Sequence, residues 1–73
     1  MEGLRLGYRL ENLREKSGYT KKEISYKLGF SSNVYGTYES GETHPAYQTL
    51  AELADLFNVS LDYLIRENKY QKN

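Results

Sequence analysis

A helix start and a helix stop fall so close together in this 73-residue chain that only a two-turn helix fits between them. Thr20 precedes Lys21-Lys22-Glu23 in the T-x-x-E order of a capping box. In that arrangement the Thr hydroxyl and the Glu carboxylate satisfy free backbone amides at a helix N-terminus. Gly29 follows Leu28 at once and supplies the positive φ that a tight turn requires. Ile24 and Leu28 give the short segment an apolar stripe. A further element begins directly after it. Ser31 is placed to cap a helix over residues 32–39 that carries Val34, Tyr35 and Tyr38 and ends at Glu39-Ser40-Gly41.

Helical spacing accounts for the rest of the chain. Leu6, Leu10 and Leu13 recur on one face of a first helix that stops at Ser17-Gly18. Glu42-Thr43-His44-Pro45 reads as a loop, with Pro45 opening a fourth helix at its first turn. Leu50, Leu53, Ala54 and Phe57 then repeat at i, i+3, i+4 and i+7, which is an inward apolar face. Ser60 caps a short fifth helix with Leu61, Leu64 and Ile65, and the polar tail from Glu67 to Asn73 is expected to fray. No strand-like alternation and no internal repeat occurs. The expected fold is therefore all-α, five helices in one domain over residues 1–66, followed by a polar tail over residues 67–73.

The chain is near the lower limit at which one apolar core offsets chain entropy. It has no cysteine, so neither a disulfide nor a thiolate metal cluster can staple it, and stability must come from packing or association. A reducing cytoplasm is the expected setting. No apolar run approaches the roughly 20 residues of a membrane span, and Met1-Glu2-Gly3-Leu4-Arg5 lacks the apolar stretch of an export signal.

Charge gives a divided message. Ten basic and ten acidic side chains leave a formal net charge of zero, which argues mildly against nucleic acid, where phosphate neutralisation supplies much of the affinity. Their distribution is uneven, however. Residues 1–22 hold six basic side chains (Arg5, Arg9, Arg14, Lys16, Lys21, Lys22) against three acidic ones, whereas residues 39–63 hold five acids and no Lys or Arg. One electropositive end is the expectation.

Two short helices joined by a glycine turn have the geometry of a DNA-binding helix-turn-helix, whose second helix lies in the major groove. Apolar residues at Ile24, Leu28, Phe30, Tyr35 and Tyr38, small Ser25 where the helices must approach, and Gly29 in the turn each have a packing reason. The run from Leu6 to Ile65 resembles the Cro and lambda-repressor type of helix-turn-helix, the xenobiotic-response-element (XRE) family of bacterial and phage transcriptional regulators. The segments that carry the resemblance are Leu10-Glu11-Asn12-Leu13-Arg14-Glu15, Thr20 to Gly29, Tyr38-Glu39-Ser40-Gly41, Pro45, and Asn58-Val59-Ser60-Leu61-Asp62-Tyr63-Leu64. Any one alone is weak, but five in order and spacing are specific.

The resemblance implies a lambda-repressor-like bundle whose third helix reads double-stranded DNA as a homodimer on a palindromic operator. By position the base readers are Ser32, Asn33 and Thr37, with Asn33 foremost because an amide pairs bidentately with adenine N6 and N7. Thr20, Lys21, Ser31, Ser40 and His44 are placed for phosphate. Arg14 and Glu39 are expected to pair structurally, and Leu61, Ile65 and Tyr70 to form the dimer contact.

Several departures temper this reading. Lys21 stands where the family commonly has Gln, and serves a phosphate as a point charge. Ser25 replaces the usual alanine, its hydroxyl expected to bond back to a carbonyl one turn earlier. The third helix has no Arg, Lys or Gln, Gly36 sits in its middle, and Glu42 stands where a basic residue is common. Weak monomer affinity and dependence on dimerisation follow. A second class, a protein-interaction module such as an antitoxin or anti-repressor, draws support from the neutral charge and the uncharged third helix. Other classes have little footing. One imidazole, His44, without thiols makes no zinc site. Five short helices leave scarcely any room for a catalytic cleft, and no glycine pattern cradles a nucleotide phosphate. Neither enzymatic activity nor a cofactor is expected.

Overall fold

The computed structural model describes residues 2–66, in which five helices follow one another: α1 (Glu2–Ser17), α2 (Lys21–Lys27), α3 (Val34–Ser40), α4 (Tyr47–Phe57) and α5 (Leu61–Ile65). Among the described residues there is no strand. α1 packs against α3, α4 and α5, while α2 lies on α3 and α4 on α5. The core gathers Leu6 and Leu10 from α1, Ile24 from α2, Tyr35 and Tyr38 from α3, Leu50, Leu53, Ala54 and Phe57 from α4, and Leu64 from α5. Every helix therefore contributes the apolar stripe read from its spacing. Among the described residues, no helix is long and apolar enough to cross a membrane.

Local capping chemistry sets the starts of α2 and α5. The Thr20 hydroxyl accepts the Glu23 N–H at 3.0 Å while the Glu23 carboxylate accepts the Thr20 N–H at 2.8 Å, closing the capping box. Ser60 accepts the Tyr63 N–H at 3.0 Å. Two other starts differ from the sequence expectation. α3 begins at Val34, not at residue 32, and the residue at its N-cap is Asn33 rather than Ser31. The chain needs the extra length because the Phe30 N–H is still bonded back to the Ser25 carbonyl at 2.9 Å, and residues 32 and 33 form a turn before the helix opens. α4 starts at Tyr47, with Ala46 extended at its N-cap. Pro45 is buried ahead of the helix and acts as a packing group, not as its first residue.

Long-range polar contacts tie the bundle together. Arg14 Nε donates to Glu39 Oε2 at 2.7 Å, with the two side chains 13% and 6% exposed, and Arg14 Nη1 donates to the Tyr19 carbonyl at 3.1 Å. One guanidinium thus joins α1, the α1–α2 connection and α3. Its pKa is raised, mainly by the hydrogen bond to Glu39. For a pair this far from water, removal of one partner leaves an uncompensated charge, typically a loss of about 3–5 kcal/mol. Arg9 Nη1 donates to the carbonyls of Tyr63, Leu64 and Arg66 at 3.1, 2.9 and 2.8 Å, satisfying the open C-terminal end of α5. Among the described residues, no buried side-chain nitrogen or oxygen lacks a partner.

Gly7 marks the tightest helix approach. A Cβ built there overlaps the Glu39 backbone carbonyl, so only glycine lets α1 lie this close to α3. Gly7→Ala is expected to lower stability by about 2–3 kcal/mol, in the range of core overpacking, measured by urea unfolding. An unchanged midpoint in that variant excludes the close approach.

Tyr35 is fully buried, its ring edge-on to Tyr38 at 6.2 Å and its hydroxyl donating to the Leu10 carbonyl at 3.3 Å. Burial first, and the neighbouring Glu39 second, push its phenol far above the ordinary value of 10.0. The folded chain keeps a proton that the unfolded chain releases near pH 10, so this stabilisation is present below pH 10 and is lost as pH rises above it. Thermal unfolding midpoints should fall above pH 10, and less steeply in Tyr35→Phe; equal slopes for the two proteins dispose of the assignment.

Candidate nucleic-acid interface

The buried residues of α3 are Tyr35, Tyr38 and Glu39. Its opposite side therefore carries Asn33, Gly36, Thr37 and Ser40, an i, i+3, i+4, i+7 set that the rest of the described chain leaves exposed or half-exposed. α2 crosses behind it. The crossing is close because Ser25, fully buried, stands at the contact, and its hydroxyl accepts the Tyr35 N–H at 3.0 Å. This corrects the sequence expectation that Ser25 bonds back within its own helix. The free amide at the start of α3 is the better partner, since no side chain of α3 caps it.

That bond has a consequence for Asn33. As the N-cap residue it makes no side-chain capping bond, and it is exposed, so its amide faces outward with donor and acceptor both available. Ser31 is exposed in the connection and Ser32 half-exposed beside it. Thr37 is different. Its hydroxyl lies 2.6 Å from the Val34 carbonyl and 2.6 Å from the Thr43 hydroxyl, so its polar atom is engaged within the fold. Ser40 is similarly turned to local partners, donating to the Thr37 carbonyl at 3.2 Å and accepting the Glu42 N–H at 3.3 Å.

Among the basic groups, Lys21 is exposed and its Cδ lies 3.8 Å from where a Cβ on Gly36 would sit, which places the lysine stem along the outer side of α3. Thr20, also exposed, holds the start of the same helix. His44 is brought elsewhere: its Nδ1 lies 3.0 Å from the Pro45 carbonyl, and it borders a cleft with Arg5, Arg9, Ile65 and Arg66 at the α1–α5 side. The electropositive end expected from residues 1–22 is only partly available. Arg14 is held against Glu39 of α3 and the half-exposed Arg9 is engaged by carbonyls at the end of α5, roles that no local motif announces because their partners are distant in sequence.

At the candidate dimer contact, Leu61 is half-buried against the core and Ile65 is 47% exposed, while Tyr70 lies outside the described residues. Tyr8, Tyr26, Tyr47 and Tyr63 add further exposed aromatic surface that spacing alone did not single out. Among the described residues, no group of His, Asp and Glu is arranged to hold a metal ion.

Comparison with known proteins agrees with this geometry. A family model described as helix-turn-helix matches residues 10–64. The chain is 42% identical over 67 residues to the HTH-type transcriptional regulator ImmR of Bacillus subtilis, spanning 92% of this chain and 53% of that protein. It is 33% identical over 61 residues to the cryptic phage CTXphi transcriptional repressor RstR of Vibrio cholerae, spanning 84% of this chain and 54% of that protein. It is 32% identical over 69 residues to the uncharacterized HTH-type transcriptional regulator YazB of Bacillus subtilis, spanning 94% of this chain and 100% of that protein. The chain thus covers about half the length of ImmR and RstR and the full length of YazB. By the extent of these matches, the chain belongs to the XRE-type helix-turn-helix family.

Proposed function

We propose that this chain is a DNA-binding transcriptional regulator that lays the outer side of α3 in the major groove and acts as a homodimeric repressor on a palindromic operator. The observation that carries the reading is the uncovered face Asn33–Gly36–Thr37–Ser40, presented by a helix whose other side is locked to α1 and α2. Groove readers of this type place a short recognition helix on such a support. Family membership adds to it, since the relatives are named as transcriptional regulators, one of them a phage repressor, and not as enzymes. In a dimer the two copies of α3 read half-sites about one helical turn apart, and the Leu61–Ile65 surface of α5 is the contact we assign to the second copy.

Within the interface, Asn33 reads a base edge and Lys21, with Thr20 and Ser31, contacts the phosphate backbone. Ser32 lies beside Asn33 and reaches the same groove. Thr37 contributes its methyl rather than its hydroxyl, because that hydroxyl is held by Val34 and Thr43. Ser40 flanks the site, His44 is turned to the α1–α5 side and is left out of it, and Glu42, exposed just after α3, keeps monomer affinity low. A second reading, a protein-interaction module on the same scaffold, draws on the zero formal net charge and on an α3 that holds no Lys or Arg.

Gel shift against a randomised duplex pool at two salt concentrations separates the readings. A DNA regulator enriches a motif and loses affinity as salt rises, in proportion to the phosphates it neutralises. Recovery of no motif together with salt-independent retention favours the interaction module. On the enriched duplex, Asn33→Ala should relax preference at one base pair by about 1–3 kcal/mol. Lys21→Met, which keeps the stem and removes the charge, should weaken all sequences alike and reduce the salt slope by about one. An unaltered motif in the Asn33 variant removes that residue from the reading set.

A further inference from the structure

Most described glycines have a reason in the backbone. Gly18, Gly29 and Gly41 have φ of 80°, 83° and 82°, which L side chains rarely adopt, and a Cβ on Gly7 overlaps the Glu39 carbonyl. Gly36 has neither reason. It lies inside α3, where glycine weakens the helix relative to alanine, and a Cβ there meets only the Lys21 Cδ at an ordinary 3.8 Å. Nothing in the fold asks for a missing side chain at this position.

What the missing side chain does create is a notch on the outer face of α3. Its floor is the bare Gly36 Cα, and the methylene stem of Lys21 stands beside it. Asn33 lies one turn before it and Thr37 directly after, and the Thr37 hydroxyl is turned away toward Val34 and Thr43. The notch therefore has an apolar floor and one apolar wall, the Gly36 Cα and the Lys21 methylenes, on a face whose other groups are polar. The major-groove edges of the four base pairs offer one apolar group, the C5-methyl of thymine. We propose that Gly36 is a specificity-determining position whose notch, walled by the Lys21 stem, receives a thymine methyl. This inference rests on the reading of α3 as the groove-facing helix.

The test replaces each thymine of the selected duplex singly by uracil, which removes only the C5-methyl, and measures affinity for the unaltered chain and for Gly36→Ala. At one position per half-site, uracil should weaken the unaltered chain about fourfold, the worth of one buried methyl. Gly36→Ala fills the notch with a protein methyl, so at that same position it should prefer uracil to thymine. Its thermal midpoint should equal or exceed that of the unaltered chain, which shows that any loss of binding is not a loss of fold. A variant that keeps its thymine preference everywhere, or that loses affinity equally for both duplexes, overturns the proposal, as does an unaltered chain indifferent to uracil at every position. Failure of the groove reading itself shows earlier and separately, as the absence of any selected duplex.

Discussion

The buried contact between Ser25 and the start of α3 governs how this small domain can work. Two helices of seven residues each are too short to hold their own geometry, and their termini leave amides without partners. Ser25 answers both needs. Its small volume lets α2 approach α3, and its hydroxyl takes the Tyr35 N–H with no exposure to water. An orphaned amide at that depth would be a penalty of about 1–3 kcal/mol. With α2 supplying this cap, Asn33 at the N-cap position makes no capping bond and its side chain is exposed. The exposed face of α3 is thus a product of how its hidden face is satisfied.

The same division applies to charge. A neutral chain with a basic first third pointed to an electropositive end, yet two of the arginines there are engaged by partners within the fold. Arg14 holds α1, the following connection and α3 in one hydrogen-bonded group with Glu39, and Arg9 closes the C-terminal end of α5. Guanidinium suits these tasks, because its planar donors can reach several carbonyl or carboxylate oxygens at once. Among the described basic side chains Arg5, Lys16, Lys21, Lys22, Lys27 and Arg66 remain exposed, and of these Lys21 has its stem beside Gly36 of α3. Under the proposed reading, recognition on such a surface depends more on fit between α3 and the groove than on attraction at long range.

Much of this was legible in the residues. Capping at Thr20–Glu23 and Ser60, the glycine stops and the apolar spacing of α1 and α4 are local codes, each readable within one or two turns of chain. The opening of α3 was less legible. Ser31 has the composition of a cap, but the length of the turn depends on the Phe30 amide reaching back to Ser25, a contact made only once the two helices cross. Pro45 likewise carries a helix-opening signal and instead packs ahead of the helix. Gly7 gave no signal at all, since its reason is a carbonyl on a helix far along the chain.

By itself, then, the sequence determined the number and type of helices, their inward stripes, the two-helix motif at the centre of the chain and the family resemblance that goes with it. These follow from short-range chemistry, in which a side chain caps or terminates the backbone next to it. Tertiary structure alone decided which arginines became ties between helices, which glycine sits at a close helix contact, and which hydroxyls on α3 are engaged within the fold. Those outcomes depend on partners brought close by folding, and a hydrogen bond or a steric overlap exists only at the distance that packing sets.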